Sequence, residues 1–201
     1  MPSSYTRISK WLAGTSLLAS TAIMISLLRL RIPYPLLPFL SFDFAEIPSV
    51  IALLVLDFKS ASTVAIVHWL TLNLGRPFHV IIGPLMKLIA VISMLVGFRL
   101  VAGKDGSMTR GKIAMMTALG ILTRVGVMSI VTFMIYYVIF PEVYLPTSEK
   151  ILKNVFGLEI SSDIIVASII VALTAIFNLI HVPLSLIPAS SVYVLYKKIF
   201  K

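Results

Sequence analysis

The sequence predicts an all-α integral membrane protein built as a bundle of six transmembrane helices. Three observations lead to this prediction. The chain of 201 residues is 59% apolar and only 12% charged, and its mean hydropathy is +1.03. The apolar residues form long runs, several of them near the roughly 20 residues that a helix needs to cross a bilayer. The basic residues lie mostly at the edges of these runs, where they orient membrane proteins.

The composition excludes several classes of function. A chain of this length cannot bury so much apolar surface in one soluble core, which argues against soluble enzymes and nucleic-acid-binding domains despite a net charge of +9. The absence of cysteine excludes disulfides and zinc–thiolate sites. The sequence contains no HExxH motif and no serine in a GxSxG elbow, so we expect no enzymatic activity. Three histidines have no spacing that predicts a metal site: His68, His79 and His181.

The first three predicted helices are separated by prolines and polar residues. Helix 1 spans about 11–30, and its apolar run is too long for a signal peptide and lacks a cleavage site. Prolines between residues 33 and 38 then predict an extended loop. Helix 2 spans about 46–56 with Asp43 as a plausible N-cap, and helix 3 spans about 61–74. Both are short, so they are expected to be buried among their neighbours or to form one re-entrant element.

The second half of the chain predicts three longer helices, at about 80–102, 112–140 and 163–196. Kinks are expected in the last of them at Pro183 and Pro188. Residues 141–162, between helices 5 and 6, form the longest polar stretch and are predicted to be a loop. The whole chain, residues 1–201, is expected to form one transmembrane domain.

The distribution of charge predicts that both termini are cytoplasmic. With the N-terminus inside, twice as many basic residues lie on the inner side as on the outer side. Most of the eight acids lie on the outer side in this arrangement. These outer acids are Asp43, Glu46, Glu142, Glu149, Glu159 and Asp163.

A few polar side chains fall inside the predicted helices, where they are costly unless they face a cavity or a partner. Arg124 lies too deep to reach the membrane surface easily, which predicts a role in the bundle interior. Lys87 lies near the outer end of its helix, where a substrate contact and a snorkelling lysine are both open. Asn178 and His181 are three residues apart and share one helix face. They suit either a neutral heterocyclic ligand or hydrogen bonds between helices.

Three passages of the sequence carry a family resemblance. The first is PFLSFDFAEIP at residues 38–48, the second is RVGVMS at 124–129, and the third is FNLIH at 177–181 with YKK at 196–198. In this order and spacing they resemble the substrate-binding S components of energy-coupling factor (ECF) vitamin transporters. The resemblance is greatest to the riboflavin-specific, RibU-type members.

The resemblance implies a vitamin pocket near the outer face, lined by helices 4 to 6 and covered by the loops after helices 1 and 5. At the matching positions, Asn178 would hydrogen-bond the ligand ring. His181 stands where the family has Lys, and Thr132 stands where it has Asn, so riboflavin and another flat vitamin are both open. The expected substrate-binding residues are Asn178, His181, Thr132, Leu40, Phe39, Met128, Lys87 and Arg124.

The resemblance also implies partners in the cell membrane. A transmembrane coupling subunit would carry two cytoplasmic ATPases, which would bind the ATP; no cofactor is expected on this chain. A partial P-loop match at 106–112 is followed by Ile113 rather than Ser or Thr, so it predicts no nucleotide site. Small residues at helix-packing spacing in helix 1 are expected to dock on the coupling subunit. These residues are Thr15, Ala19, Ala22 and Ser26.

Two other functions remain open at this point. A non-transport membrane scaffold protein would have similar hydropathy but no ligand pocket. A stand-alone secondary transporter would need an intramembrane acid for proton coupling. We rank it last because all eight acids are expected at loops or helix ends.

Overall fold

Seven α-helices account for most of the residues that the structure, a computed structural model, describes (4–74, 81–103 and 108–200). They are α1 (Ser4–Leu27), α2 (Ile47–Val55), α3 (Phe58–Asn73), α4 (Ile82–Val101), α5 (Arg110–Phe133), α6 (Pro141–Phe156) and α7 (Asp163–Phe200). A 3-10 turn precedes α2 and a π-helical segment extends α5, at Phe44–Glu46 and Met134–Ile139. Two antiparallel strands lie between α1 and α2, β1 (Arg31–Pro33) and β2 (Ser41–Asp43).

Four helices in the described part of the chain are long and apolar enough to cross a membrane. They are Ile8–Leu27, Ile82–Val101, Arg110–Ile139 and Asp163–Phe200. A shorter apolar helix spans Phe44–Val55. The chain is thus a multi-pass membrane protein that is helical apart from the short strands, and each of the six predicted helices is present. The last begins at Asp163, as predicted, whereas ends of the others are shifted. The cytoplasmic position of the termini stays a prediction.

The prediction of a loop at residues 141–162 is wrong for most of its length, because α6 occupies 141–156. Pro141 stands in its first turn, where the missing N–H leaves no hydrogen bond unmade. Gly157 ends the helix in the left-handed conformation with a φ of 68°. Leu145 and Leu152 form its buried face, so the helix is stabilised by packing one apolar stripe against the bundle.

The segment expected as an extended loop after α1 forms a β-hairpin, in which Arg31 is opposite Asp43. Asp43 Oδ1 accepts a hydrogen bond from the Ala45 N–H at 2.8 Å, so it caps the 3-10 turn that leads into α2 rather than α2 itself, whose N-cap residue is Glu46. Asp57 Oδ1 accepts from the Ser60 N–H at 2.6 Å and caps α3 in the same way. The two acids therefore fix where the 3-10 turn before α2 and helix α3 begin.

The last helix continues through Pro183 and Pro188 without interruption, and kinks at these residues stay a prediction. Several other predictions fall outside the residues that the structure describes. They concern His79, the start of helix 4 at Val80, and most of the inner loop at 103–107, including the first residues of the P-loop-like segment.

Two hydrophobic clusters fill the interior. The first contains residues from all of the first five helices and from the second half of α7, and it includes Phe98 and Leu186. The second joins the hairpin, the π-helical segment, α6 and the first half of α7, and it includes Leu152 and Phe177. Helix α7 thus contributes residues to both clusters, and its polar residues lie at the boundary between the two clusters.

The buried residues of α5 and its extension recur at every fourth position: Met116, Gly120, Arg124, Met128, Thr132 and Tyr136. Four residues exceed one helical turn by about 40°, so this buried face winds around the helix. It meets Phe98 of α4 at Gly120 and turns toward α7 at Arg124. This winding lets one helix contact α4 at one end and α6 at the other.

Candidate functional site

A cavity of about 420 Å³ lies among the hairpin, α4, α5, α6 and α7. Its volume falls in the range of about 300–1,000 Å³ that is typical of small-molecule sites. The lining residues recur at helical spacing, for example Arg124, Met128 and Thr132 on α5. Thr174 and Asn178 repeat this spacing on α7. Each helix therefore contributes one stripe to the wall.

The structure places all eight of the predicted substrate-binding residues in the wall of this one cavity. They are Asn178, His181, Thr132, Leu40, Phe39, Met128, Lys87 and Arg124. They come from the hairpin, α4, α5 and α7, which are distant in sequence. Sequence reasoning missed three aromatic wall residues, Tyr136, Tyr144 and Phe177. Ligand binding by the eight residues stays a prediction.

Arg124 is the centre of a buried hydrogen-bond network, and only 1% of its surface is exposed. Its Nη1 donates to Glu46 Oε2 at 2.6 Å, and its Nη2 donates to Glu46 Oε1 at 3.3 Å. Its Nε donates to Asn178 Oδ1 at 2.8 Å, and its Nη2 lies 3.1 Å from His181 Nδ1. The predicted role of Arg124 in the bundle interior is therefore confirmed, since one guanidinium ties the start of α2 to α5 and α7.

Glu46 is buried, with 1% of its surface exposed, although the sequence predicts it among the outer acids. It does lie at a helix end, but that end points into the bundle. A carboxylate in apolar surroundings needs a compensating charge, and Arg124 supplies it. Glu46 therefore lies at a helix end, as predicted, but it is buried in the bundle in an ion pair with Arg124 rather than exposed in a loop.

Asn178 and His181 lie on one face of α7, as predicted, because both contact Arg124. The Asn178 Nδ2 donates to the Thr174 carbonyl at 2.9 Å. His181 also packs edge-on against Phe42 and Phe177, with ring centroids 5.5 and 5.2 Å apart. The two polar residues thus form hydrogen bonds between helices and line the cavity at the same time.

Lys87 pairs with Asp43 and so joins α4 to the hairpin beside the cavity. Both side chains are partly exposed, 23% for Lys87 and 17% for Asp43. The structure therefore gives Lys87 a role that neither sequence interpretation contained, a link between the hairpin and the bundle.

In another part of the cavity wall, the rings of Tyr136 and Tyr144 lie 4.5 Å apart. Burial raises the pKa of the Tyr144 phenol, so this group stays neutral.

Thr132 carries a buried hydroxyl with no hydrogen-bond partner among the residues that the structure describes. The residue is 1% exposed and lies in the cavity wall between Met128 and Tyr136. A buried hydroxyl without a partner is costly. Within the described ranges, no group of three or more His, Asp or Glu side chains could hold a metal ion.

The four residues predicted to dock on a partner face the interior instead. Thr15, Ala19 and Ala22 are buried, and Ser26 Oγ lies 2.6 Å from His68 Nε2 of α3. Helix α1 packs with this side against α2 and α3. The expectation of a docking surface at these positions is therefore wrong, because the small residues serve close packing within the bundle. Other small residues lie on the exposed side of α1: Ala13, Ser16 and Ser20.

No protein-family model and no curated protein sequence matches this chain. Among solved structures, the chain is similar to the S component of a bacterial ECF transporter, with a TM-score of 0.70 and 23% sequence identity. The similarity covers 96% of this chain and 98% of the other. At this identity the comparison establishes a shared fold over essentially the whole length.

Proposed function

We propose that this chain is the substrate-binding S component of an ECF-type importer in the cell membrane, and that its cavity holds a flat vitamin. Riboflavin is the first candidate. The observation that carries the proposal is the convergence of all eight expected binding residues on one cavity of about 420 Å³. The shared fold supports it. On this proposal the chain binds its substrate and carries out no chemistry on it.

The wall chemistry supports a ligand with an apolar face and a polar edge. Phe39, Leu40 and Met128 supply apolar contact surface. Asn178 and His181 supply polar atoms on the α7 side, and Thr132 supplies an unpaired hydroxyl on α5. Such a mixture of apolar walls and a few convergent polar groups is typical of small-molecule sites.

Titration of the purified protein with riboflavin, followed by tryptophan fluorescence, tests this proposal. Trp69 lies in a small pocket with Lys87 and Glu46, both of which also line the cavity. Trp11 lies near Lys59, with the ammonium 5.1 Å from its ring. We expect saturable quenching at about nanomolar riboflavin, equivalent to about 12 kcal/mol. Trp69→Phe should remove most of the quenching, whereas the control Trp11→Phe should leave it.

Other outcomes of the titration would change the substrate, the function or the interpretation of the quenching. A response to a different vitamin would keep the transporter function and reassign the substrate. Silence across a panel of vitamins, with a folded protein, would overturn the proposal and favour a membrane scaffold. Equal quenching from both tryptophans would indicate nonspecific partition of the ligand into detergent.

Thr132→Val is expected to weaken riboflavin binding about tenfold without lowering the thermal stability of the ligand-free protein. The substitution keeps the shape and removes a hydroxyl that has no partner among the described residues, so folding loses no hydrogen bond. One hydrogen bond is worth about 0.5–1.5 kcal/mol, and about 1.4 kcal/mol corresponds to tenfold. Isothermal titration and thermal unfolding measure the two effects. Unchanged affinity would remove Thr132 from the binding site.

We also propose that a transmembrane coupling subunit, which carries the ATPases, docks on the exposed side of α1. Only 17% of the spanning window of α1 is buried within the chain, against 22–39% for the other three spans. Ala13, Ser16 and Ser20 lie on this exposed side, and small residues at such spacing allow two helices to approach closely.

A further inference from the structure

The face of the hairpin that lines the cavity includes an arginine, Arg31. Side chains alternate between the two faces of a strand. Accordingly, Ser41 and Asp43 of β2 line the cavity, and Phe42 between them packs into the second hydrophobic cluster instead. Arg31 is directly opposite Asp43 in the register, and opposite residues of antiparallel strands project to the same face. Arg31 therefore points toward the cavity with Asp43, and both are lining residues.

The charges of the cavity wall do not balance. The described residues of the wall include three basic and two acidic side chains, and both acids are paired within the chain. Glu46 binds Arg124. Asp43 binds Lys87 through Oδ2 and caps the 3-10 turn with Oδ1. Arg31 is exposed and forms no ion pair with any residue that the structure describes. It therefore leaves one positive charge in the wall without compensation.

The first turn of α4 adds positive potential to the same part of the wall. Gly83 and Pro84 line the cavity there, and Lys87 follows one turn later. Because Lys87 pairs with Asp43, this turn adjoins the hairpin edge that carries Arg31. No side chain of the described residues caps this end of α4, so its first N–H groups keep the partial positive charge of a helix N-terminus. An anion in this part of the cavity would meet both the guanidinium and the helix end.

We infer that the ligand of this cavity is an anion, a flat ring with a carboxylate or phosphate on its tail, and that Arg31 binds this charged group. The N–H donors of a guanidinium form a planar fork that matches the oxygens of either group. The ring would contact the apolar wall at Phe39, Leu40 and Met128, with the tail directed toward Arg31. Among flavins, riboflavin 5′-phosphate belongs to this class, whereas riboflavin is neutral. This ligand class narrows the proposed function and rests on it.

Isothermal titration of the purified protein in detergent compares riboflavin with riboflavin 5′-phosphate, two ligands that share one ring and differ in the phosphate. At low salt we expect the phosphate form to bind at least tenfold more tightly, about 1.4 kcal/mol. Raising the ionic strength from about 0.01 M to about 1 M shortens the Debye length from about 30 to about 3 Å. This change should reduce the preference and leave riboflavin binding unchanged. Equal or tighter binding of riboflavin would overturn the anion site and keep the transporter function.

Substitution of Arg31 tests whether this side chain holds the charged group. Arg31→Gln should weaken binding of riboflavin 5′-phosphate at least tenfold and change the riboflavin affinity by less than about threefold. Arg31→Lys keeps the charge and should retain part of the preference. Arg29→Gln is the matched control, because Arg29 is also exposed but is not among the lining residues, and it should leave both affinities unchanged. Equal loss for both ligands in Arg31→Gln would indicate a structural role and overturn anion binding by Arg31, as would no loss for either.

If neither flavin binds, the choice of ring fails, and two matched pairs replace the flavins: nicotinamide with nicotinate, and pyridoxal with pyridoxal 5′-phosphate. Thermal stabilisation by only the charged member of a pair would support the anion site. The pair that responds would also show whether a carboxylate or a phosphate binds. Stabilisation by neutral members alone would overturn the anion site and leave a vitamin-binding protein. Silence of a folded protein toward all of these ligands would overturn the anion site and the proposed function together.

Discussion

Replacing Arg124 with Met is expected to destabilise the protein by about 3–5 kcal/mol, the largest effect that we foresee for a single substitution. The reason lies in its partner, since the change leaves Glu46 charged, 1% exposed and without its bidentate ion pair. Asn178 Oδ1 and His181 Nδ1 would lose a donor as well. Thermal or denaturant unfolding in detergent, followed by far-UV circular dichroism, measures the loss.

Two controls separate the buried charge from other causes. In Glu46→Gln combined with Arg124→Met both charges are gone, so we expect a clearly smaller loss than in Arg124→Met alone. Lys153 and Glu159 form an ion pair with the same 2.6 Å separation, but both side chains are more than 60% exposed. Lys153→Met should therefore change stability little. Equal losses in the single and double variants would show that the cost comes from packing rather than from an unpaired carboxylate.

Gly97→Ala and Gly120→Ala should each destabilise the contact between α4 and α5 by about 1–3 kcal/mol. A Cβ at Gly97 would lie 2.6 Å from the Leu119 carbonyl oxygen, and a Cβ at Gly120 would collide with the Phe98 ring. The backbone of α5 cannot yield without moving Arg124, which lies one turn beyond Gly120. We therefore expect Gly97→Ala to have the larger effect, since its obstacle is backbone rather than a side chain.

Gly126→Ala is the matched control on the same helix. No atom lies within 4 Å of a Cβ at this position, and alanine favours a helix over glycine by about 1 kcal/mol. Thermal unfolding of the three variants should thus show two losses of stability and one neutral or favourable change. A loss of similar size at Gly126 would mean that α5 tolerates no added methyl group, for a reason other than its contact with α4.

The polar core of the site was only half predictable from the sequence. An arginine deep in an apolar run must face the interior, and this predicts Arg124 correctly. Its partner was missed because Glu46 precedes a short helix and looks like a loop acid. The signal was present, since a buried guanidinium requires a carboxylate and Glu46 leads directly into the apolar residues of α2. Glu46 and Arg124 are 78 residues apart in the chain, and local sequence patterns do not predict contacts between residues so far apart.

The elements with long apolar sequences were predictable from hydropathy, whereas the elements with polar or very short sequences were not. The long helices follow from apolar runs, whereas α6 has a polar sequence with Pro146 in its second turn. The paired signals at its ends, Pro141 and Gly157, predict a helix better than its composition does. The strands of the hairpin are three residues each, too short for alternation of apolar and polar residues to reveal them.

The ion pair between Glu46 and Arg124 also constrains how the chain is made. Arg124 lies midway along the span Arg110–Ile139, where a lone charge costs about 2.5–3.5 kcal/mol during insertion, and its partner Glu46 leaves the ribosome 78 residues earlier. We therefore expect α2 and α3 to wait in a hydrated position until α5 has been synthesised. Helices α2, α3 and α5 would then enter the membrane together, rather than one after another.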